Sequence, residues 1–323
     1  MEQPPAQQSL FGDSAQAAPV VRAAAPSAEL VQTAARLPKN LYLGTSSWTF
    51  PGWAGIVYDG AYATATLARH GLWAYARHPL LNSVSLDSTF YRPATAEQLT
   101  RYAAEVPDGF RFIVKAYSGL TTSPQSARAS KLTGEPVFLD AGFAVSRVIR
   151  PIVEGLGPKL GAILFQFSPL GAQYTRAPAT FAQQLEAFLG ALPGGPTYAV
   201  ELRDAQILGP PYERALRNTG AIHCSSAHSR MPPVDRQVAD ESRGPLLIRW
   251  MLQAADDYES AGARFAPFDR ILQPDELNRG RIGRLVRAGL SAGRDVHVVA
   301  ANNAEGSAPL TLLQFARTLA TRE

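Results

Sequence analysis

Ionisable and amide side chains stand at the ends of several short apolar runs in this sequence. The most prominent are Lys115, Gln166, Glu201, Arg203, Arg249 and Asn302. A carboxylate can act as a general base, and a desolvated lysine can act as a base, a nucleophile or an electrostatic stabiliser. Guanidinium groups bind phosphate or carboxylate through paired N–H donors. The pattern predicts a site for a small anionic or polar ligand, with Glu201 and Lys115 as candidate catalytic residues.

Further polar side chains follow the same apolar runs and complete the predicted site. The candidate ligand-binding residues are Ser47, Asp87, Thr89, Tyr91, Gln166, Arg203, Arg249 and Asn302. Structural alternatives stay open for the charged ones. Glu201 and Arg203 can form an ion pair that serves only stability, and Lys115 can neutralise Glu201 or Asp87 across the fold.

Eight β-like runs alternate with helix-like stretches from residue 41 onward. They are Leu41 to Thr45, Ser83 to Asp87, Phe110 to Lys115, Ala162 to Phe167, Thr197 to Leu202, Ala221 to Ser225, Leu246 to Trp250 and Val296 to Ala301. This alternation is typical of parallel strands joined by helical crossovers. It predicts an α/β fold, a single (β/α)8 TIM-type barrel, whose strands bring their carboxyl ends to one mouth. Among the helices, the apolar residues from Val145 to Val153 predict one buried stripe, with Gly155 as the carboxyl cap.

The first 38 residues differ in composition from the rest of the chain. They are rich in Ala, Gln and Pro and poor in large apolar side chains. Such a segment buries too little surface to offset the entropy of ordering it. We therefore expect a disordered tail over residues 1–38 and the barrel domain over 39–323.

Composition and charge exclude several classes of protein. The net charge is +4, which does not by itself support nucleic-acid binding. The single cysteine, Cys224, cannot form an internal disulfide, and no apolar run approaches the roughly 20 residues that span a bilayer. We expect a cytoplasmic protein without a membrane segment.

Motifs for metals and cofactors are missing from the sequence. The five histidines do not show a metal-ligand spacing, and no glycine-rich phosphate loop joins a strand to a helix. The G-x-S-x-G string at 289–293 precedes a predicted strand instead of following one, so it does not form a nucleophile elbow. We therefore expect neither a metal nor a cofactor.

A series of motifs in the chain resembles a known family. The motifs are GTSSWTFPGW at 44–53, STFYR at 88–92, FIVK at 112–115, LGAILFQFSP at 160–169, AVELR at 199–203 and VVAANN at 298–303. Together they resemble the YecE-like family, the proteins of domain-of-unknown-function type 72. The resemblance implies a β/α barrel without an agreed activity, and the likeness of that barrel to endonucleases has suggested DNA processing.

Five positions depart from the pattern of that family. Ser85 stands where the family has an acid, and Asp87 stands where it has an amide. Asp204 and Met251 stand at histidine positions, and Ala304 stands at the place of another acid. If those family residues carry proton transfer, this member has lost them. A catalytically degenerate, ligand-binding barrel is therefore an alternative to an enzyme.

The N-terminal segment contains a short peptide with a separate resemblance. Gln7-Gln8-Ser9-Leu10-Phe11 is similar to the peptide with which bacterial proteins bind the sliding clamp. Leu10 and Phe11 would enter an apolar groove while Gln7 makes an anchoring hydrogen bond. This predicts a second alternative, a replication or repair accessory protein with the sliding clamp as its partner.

Overall fold

Eight parallel strands form a closed barrel in the computed structural model, which describes residues 20–126, 129, 134–238, 244–252 and 258–320. Each strand pairs with the next along the chain, and the eighth closes on the first. The strands are β1 Leu41–Thr45, β2 Ser83–Leu86, β3 Arg111–Lys115, β4 Leu160–Gln166, β5 Tyr198–Glu201, β6 Ile222–Ala227, β7 Leu246–Trp250 and β8 Val296–Ala300. The predicted (β/α)8 TIM-type barrel is confirmed.

Helices of very different lengths surround the strands. They are α1 Ala28–Ala35, α2 Thr64–His70, α3 Leu72–Tyr75, α4 Ala96–Glu105, α5 Ser118–Thr121, α6 Ala141–Phe143, α7 Arg150–Leu156, α8 Ala172–Thr175, α9 Pro178–Gly190, α10 Pro210–Thr219, α11 Tyr258–Phe265, α12 Glu276–Ser291 and α13 Ala308–Ala320. A helix long and apolar enough to cross a membrane does not occur in the described part of the chain.

Alternation along each strand divides the core into two parts. Side chains on one face, such as those of Phe112, Val114 and Phe165, pack in the large cluster with the helices. Side chains on the other face form a small cluster inside the barrel: Ile113, Ala162, Leu164, Ala199, Ile222, Cys224, Leu247 and Val299. Lys115 lies two residues beyond Ile113, so the alternation points it inward at the end of β3.

The segment before the barrel is partly ordered, which corrects the predicted boundary at residue 38. Ser27 caps α1 by accepting a hydrogen bond from the Leu30 amide, and Glu29 forms an ion pair with Arg317 at 2.8 Å. Val21 and Leu30 are buried in the main core, which provides the apolar contact that composition alone did not reveal. Residues 1–19, with the clamp-like residues Gln7, Leu10 and Phe11, lie outside the described residues.

The helix predicted to end at Gly155 also differs from expectation. It begins with α6, continues through a π-helical turn at Ala144–Ile149 and ends with α7 at Leu156. Gly157, with a φ of 49°, is the capping residue. Because a π-helical turn is wider than an α-helical one, it shifts the faces of the helix, and Val153 lies 41% exposed instead of on the buried stripe.

Gly44 is required by the close approach of β1 and β2. It pairs with Ser83, and a methyl group at position 44 would collide with the Ser83 backbone. We expect Gly44→Ala to lower the free energy of unfolding by about 2 kcal/mol or more, because the strands have to separate. Urea denaturation would measure this. Gly190→Ala is the control, since its new methyl group meets no atom within 4 Å; an equal effect of both changes would refute the steric argument.

Candidate functional site

A cavity of about 470 Å³ opens at the carboxyl ends of the strands. Its lining comes from residues at or just beyond the ends of β2 to β7. These are Asp87, Phe90, Tyr91, Lys115, Gln166, Ser168, Pro169, Arg203, His228, Arg230, Arg249 and Met251. The barrel thus brings together side chains that lie far apart in the sequence. Asp87 and Arg249 are 162 residues apart and form a hydrogen bond of 2.7 Å.

Arg249, on β7, is the centre of the polar network. Its side chain is fully buried and donates to Asp87 Oδ2 at 2.7 Å and to Glu201 Oε2 at 2.8 Å. It also donates to Gln166 Oε1 at 3.2 Å. These bonds fix the positions of the two carboxylates and the amide around Arg249. Arg249 also lines the cavity, and its predicted contact with a ligand stays a prediction.

Arg203 follows β5 and joins the same network from the other side. It forms an ion pair with Glu201, and its second terminal nitrogen donates to Gln166 Oε1 at 3.4 Å. Its first also reaches Ser226 Oγ at 3.4 Å. Glu201 and Arg203 thus form an ion pair, and Arg203 also lines the cavity, so its contact with a ligand stays a prediction.

Both carboxylates of the network are held in the ionised state. Burial raises the pKa of Glu201, but Arg203 and Arg249 outweigh it and hold that pKa well below its usual range. Burial likewise raises the pKa of Asp87, but the charges of Arg249 and Lys115 lower it by more, so the pKa lies below its usual value. A carboxylate with such a low pKa is a weak base. Its ion pairs with Arg203 and Arg249 make Glu201 a weak general base, and its catalytic role stays a prediction.

Lys115 differs from the other charged groups because its amine has no hydrogen bond or ion pair within the described residues. The side chain is buried, and its Nζ lies 4.0 Å from the centre of the Phe90 ring. Burial lowers the pKa of Lys115 to about 8, although the carboxylates of Asp87 and Glu201 oppose this shift. At neutral pH the amine is mainly protonated, with a minor neutral fraction.

Among the residues that the structure describes, the charges around the cavity do not balance. Lys115, Arg203 and Arg249 face the two carboxylates of Asp87 and Glu201, so one positive charge is left over in the buried network. The exposed Arg230 adds another at the rim. An excess of buried positive charge is costly unless an anion accompanies it.

Four predicted residues have roles other than contact with the charged network. Ser47 shares a hydrogen bond with Thr49, and the Thr89 hydroxyl donates to the carbonyls of Leu86 and Lys115. Asn302 Oδ1 accepts from the Ala308 amide at the start of α13, and its residue lines a neighbouring cavity. Tyr91 lines the main cavity but is 71% exposed.

The predicted site residues omitted several side chains that line the cavity. Ser168, Arg230 and Met251 lie in the segments that follow β4, β6 and β7. His228, which also follows β6, lines the cavity too, and burial, followed by the charge of Arg203, lowers its pKa to about 4. Their positions just past strand ends were the signal that could have identified them.

Several of the positions that depart from the family pattern make hydrogen bonds here. Ser85 donates to Asp87 Oδ1 at 2.6 Å, and Asp204 Oδ2 accepts from the Leu170 amide at 2.7 Å. Met251 lines the cavity, and Ala304 is buried. Within the described residues, His, Cys, Asp and Glu side chains do not form a group that could hold a metal ion.

Comparisons with known proteins give a family and a fold. The sequence profile described as "Protein of unknown function DUF72" matches residues 42–323. The chain is 30% identical over 188 residues to UPF0759 protein YunF of Bacillus subtilis (strain 168), covering 57% of this chain and 59% of that protein. It is 27% identical over 184 residues to UPF0759 protein YecE of Escherichia coli (strain K12), covering 56% and 54%. The matched region thus spans less than two thirds of each relative.

Two solved structures show the same fold at low sequence identity. A DUF72 family protein from Thermotoga maritima MSB8 superposes with a TM-score of 0.57 at 20% identity, covering 87% of this chain and 99% of that chain. A DUF72 family protein from Enterococcus faecalis V583 gives 0.55 at 19% identity, covering 88% and 96%. These likenesses concern the barrel and not its chemistry.

Proposed function

Because the chain belongs to the DUF72 family, whose description assigns no activity, we propose from the site itself that this barrel binds a small ligand bearing a phosphate or carboxylate group. The ligand lies in the cavity at the carboxyl ends of the strands. Lys115, Arg203 and Arg230 contact its oxyanion. Arg249, Glu201 and Gln166 hold Arg203 in place.

The observation that carries the proposal is the unpaired amine of Lys115 beside an excess of positive charge. Asp87 and Glu201 are already bonded to Arg249, and Glu201 also to Arg203. The network therefore offers Lys115 no ion-pair partner of its own. An oxyanion in the cavity would supply that partner and would balance the charge.

Lys115 is also the group best suited to proton transfer if the ligand is converted. With a pKa of about 8, its neutral amine can accept a proton and become an ammonium ion near neutral pH. Glu201, held by two arginines, is a positioning residue in this scheme. Turnover would thus depend on Lys115, while binding alone would need only its positive charge.

Anion binding is the direct test of the proposed function. Titration calorimetry at pH 7 with inorganic phosphate and with acetate would show which oxyanion binds. We expect Lys115→Met and Arg230→Met each to weaken binding by about tenfold or more, because each removes a charged donor. Lys39→Met, an exposed lysine outside the cavity, is the control. Binding of neither anion, or undiminished binding by Lys115→Met, would contradict the proposal.

The affinity should also depend on pH in a defined direction. As the pH rises through about 8, Lys115 loses its proton, and the affinity for an anion should fall. The pKa values of Asp87 and Glu201 are lowered and that of Arg249 is raised, so their charges stay constant over this range. Sulfate is the probe, because it does not titrate there. An affinity that is flat between pH 6.5 and 10 would rule out Lys115 as the contact.

A further inference from the structure

A second cavity of about 240 Å³ adjoins the first at the same mouth of the barrel. The two share Asp87 and Met251. The second lies over β8 and β1, which contribute nothing to the lining of the larger cavity. Its wall consists of Thr45, Ser46, Phe50, Trp53, Asp87, Met251, Gly262, Phe268, Ala300, Ala301, Asn302, Asn303 and Ala308.

The wall of this small cavity has the character of a binding site for a flat apolar group. Phe50 packs against Trp53 with ring centres 4.9 Å apart and against Phe268 at 5.5 Å. Ala301 and Ala308, whose side chains are small, line the same cavity. Aromatic walls favour a planar partner, because stacked and edge-to-face contacts add to the burial of apolar area.

Three residues of the small cavity also carry polar atoms without a partner. Ser46 Oγ, Trp53 Nε1 and Asn302 Nδ2 are buried, and none of them makes a hydrogen bond within the described residues. Trp53 Nε1 and Asn302 Nδ2 can only donate, and the Ser46 hydroxyl can donate as well. Buried donors without acceptors are costly, so a ligand acceptor within their reach would be stabilised.

We infer that the two cavities bind the two ends of one ligand, an aryl or heteroaryl oxyanion whose ring carries a carbonyl or similar acceptor. The inference rests on the proposed function, because the anionic end occupies the larger cavity. The ring lies against Phe50, Trp53 and Phe268. The acceptor on the ring receives a hydrogen bond from the hydroxyl of the half-buried Ser46, after a rotation of that side chain. Asp87 and Met251 flank the passage between the two ends.

Two ladders of compounds test the inference by titration calorimetry. The phosphate ladder is inorganic phosphate, phenyl phosphate and 4-acetylphenyl phosphate, and the carboxylate ladder is acetate, benzoate and 4-acetylbenzoate. We expect affinity to rise by about tenfold or more when the ring is added, because it buries apolar surface. The acetyl group should add about three- to tenfold through its hydrogen bonds. Whichever of inorganic phosphate and acetate binds with the higher affinity shows whether the site prefers a phosphate or a carboxylate.

Variants of the small cavity separate its contribution from that of the charged network. Ser46→Ala removes one donor and should abolish most of the gain from the acetyl group while leaving the affinity for inorganic phosphate unchanged. Ala301→Leu fills the space and should abolish the gain from the ring. Ser88→Ala, an exposed serine that follows β2, is the matched control. Circular dichroism and the melting temperature would confirm that each variant is folded. If Ala301→Leu does not fold, Ser46→Ala alone tests the inference.

The possible results distinguish the failure of this inference from the failure of the proposed function. If the simple anions bind through Lys115 but the aryl compounds bind no tighter, the inference is wrong and the proposed function stands. If the acetyl group raises the affinity of Ser46→Ala as much as that of the wild-type protein, Ser46 is not the donor. The inference is then wrong, and the proposed function stands. If neither simple nor aryl anions bind, both proposals fail together.

Discussion

Replacing Glu201 with glutamine should lower the free energy of unfolding by about 3–5 kcal/mol, because it leaves two buried arginines without their shared carboxylate. Arg249 is fully buried and would keep only Asp87 as an ionic partner. Arg203 would lose its ion pair altogether. The change preserves the shape of the side chain, so the loss is electrostatic. Urea denaturation at pH 7 would measure it.

A surface carboxylate provides the control for this prediction. Glu97 lies 3.8 Å from Arg101 one helical turn later on α4, and both side chains are exposed. Glu97→Gln should cost less than about 1 kcal/mol, since water screens such pairs. If Glu201→Gln were no more costly than Glu97→Gln, the buried network would not be a main determinant of stability. Our assignment of Glu201 as a positioning residue would then lose its support.

The sequence was enough to predict the barrel because its eight strands are separated by helix-like segments of sufficient length. It also predicted that Asp87, Lys115 and Arg249 would approach one another, since parallel strands of a closed barrel end at one mouth. That expectation needs only the strand boundaries. Small errors in those boundaries, such as Asp87 lying just past β2 instead of within it, do not change which mouth a side chain faces.

The pairing of charges could not be predicted from the sequence. Whether Glu201 is a free base or a doubly bonded carboxylate depends on how far Arg203 and Arg249 reach across the barrel. Asn302 shows the same limit, because its position after β8 suggests a ligand contact, while its Oδ1 accepts from the Ala308 amide. The order of the strands shows which side chains lie near one another, but the side-chain rotamers determine which of them form hydrogen bonds and ion pairs.

The small cavity was missed for a related reason. Its lining combines residues after β1 and β8 with Phe268, from a segment between β7 and α12 that has no clear sequence pattern. Ser46 and Trp53 belong to one motif of the chain, but their lack of hydrogen-bond partners is visible only in three dimensions. The small cavity, on which our inference about the ligand rests, is therefore not revealed by the spacing of residues in the sequence.

The unpaired charge of Lys115 should lower the free energy of unfolding of the protein without ligand. We expect Lys115→Met to raise the free energy of unfolding at pH 7 by roughly 3 kcal/mol, although it weakens anion binding, because the pKa of Lys115 is lowered from 10.5 to about 8 and each pKa unit corresponds to about 1.4 kcal/mol. Methionine fills a similar volume and keeps the contact with the Phe90 ring. Lys39→Met, which removes an exposed charge, should change stability by less than about 0.5 kcal/mol.

The pH dependence of that difference has a definite sign. The pKa of Lys115 is lowered from 10.5 to about 8 in the folded protein, so below pH 8 the amine is charged in both the folded and unfolded states. The full cost of burying the charge is then present. Between pH 8 and 10.5 the folded protein has already lost this proton while the unfolded chain retains it, so stability rises with pH relative to Lys115→Met. Denaturation of both proteins from pH 6.5 to 10.5 should therefore show the variant's advantage shrinking above pH 8. An advantage that stays constant would mean that Lys115 is paired in solution and that the cavity needs no anion to balance it.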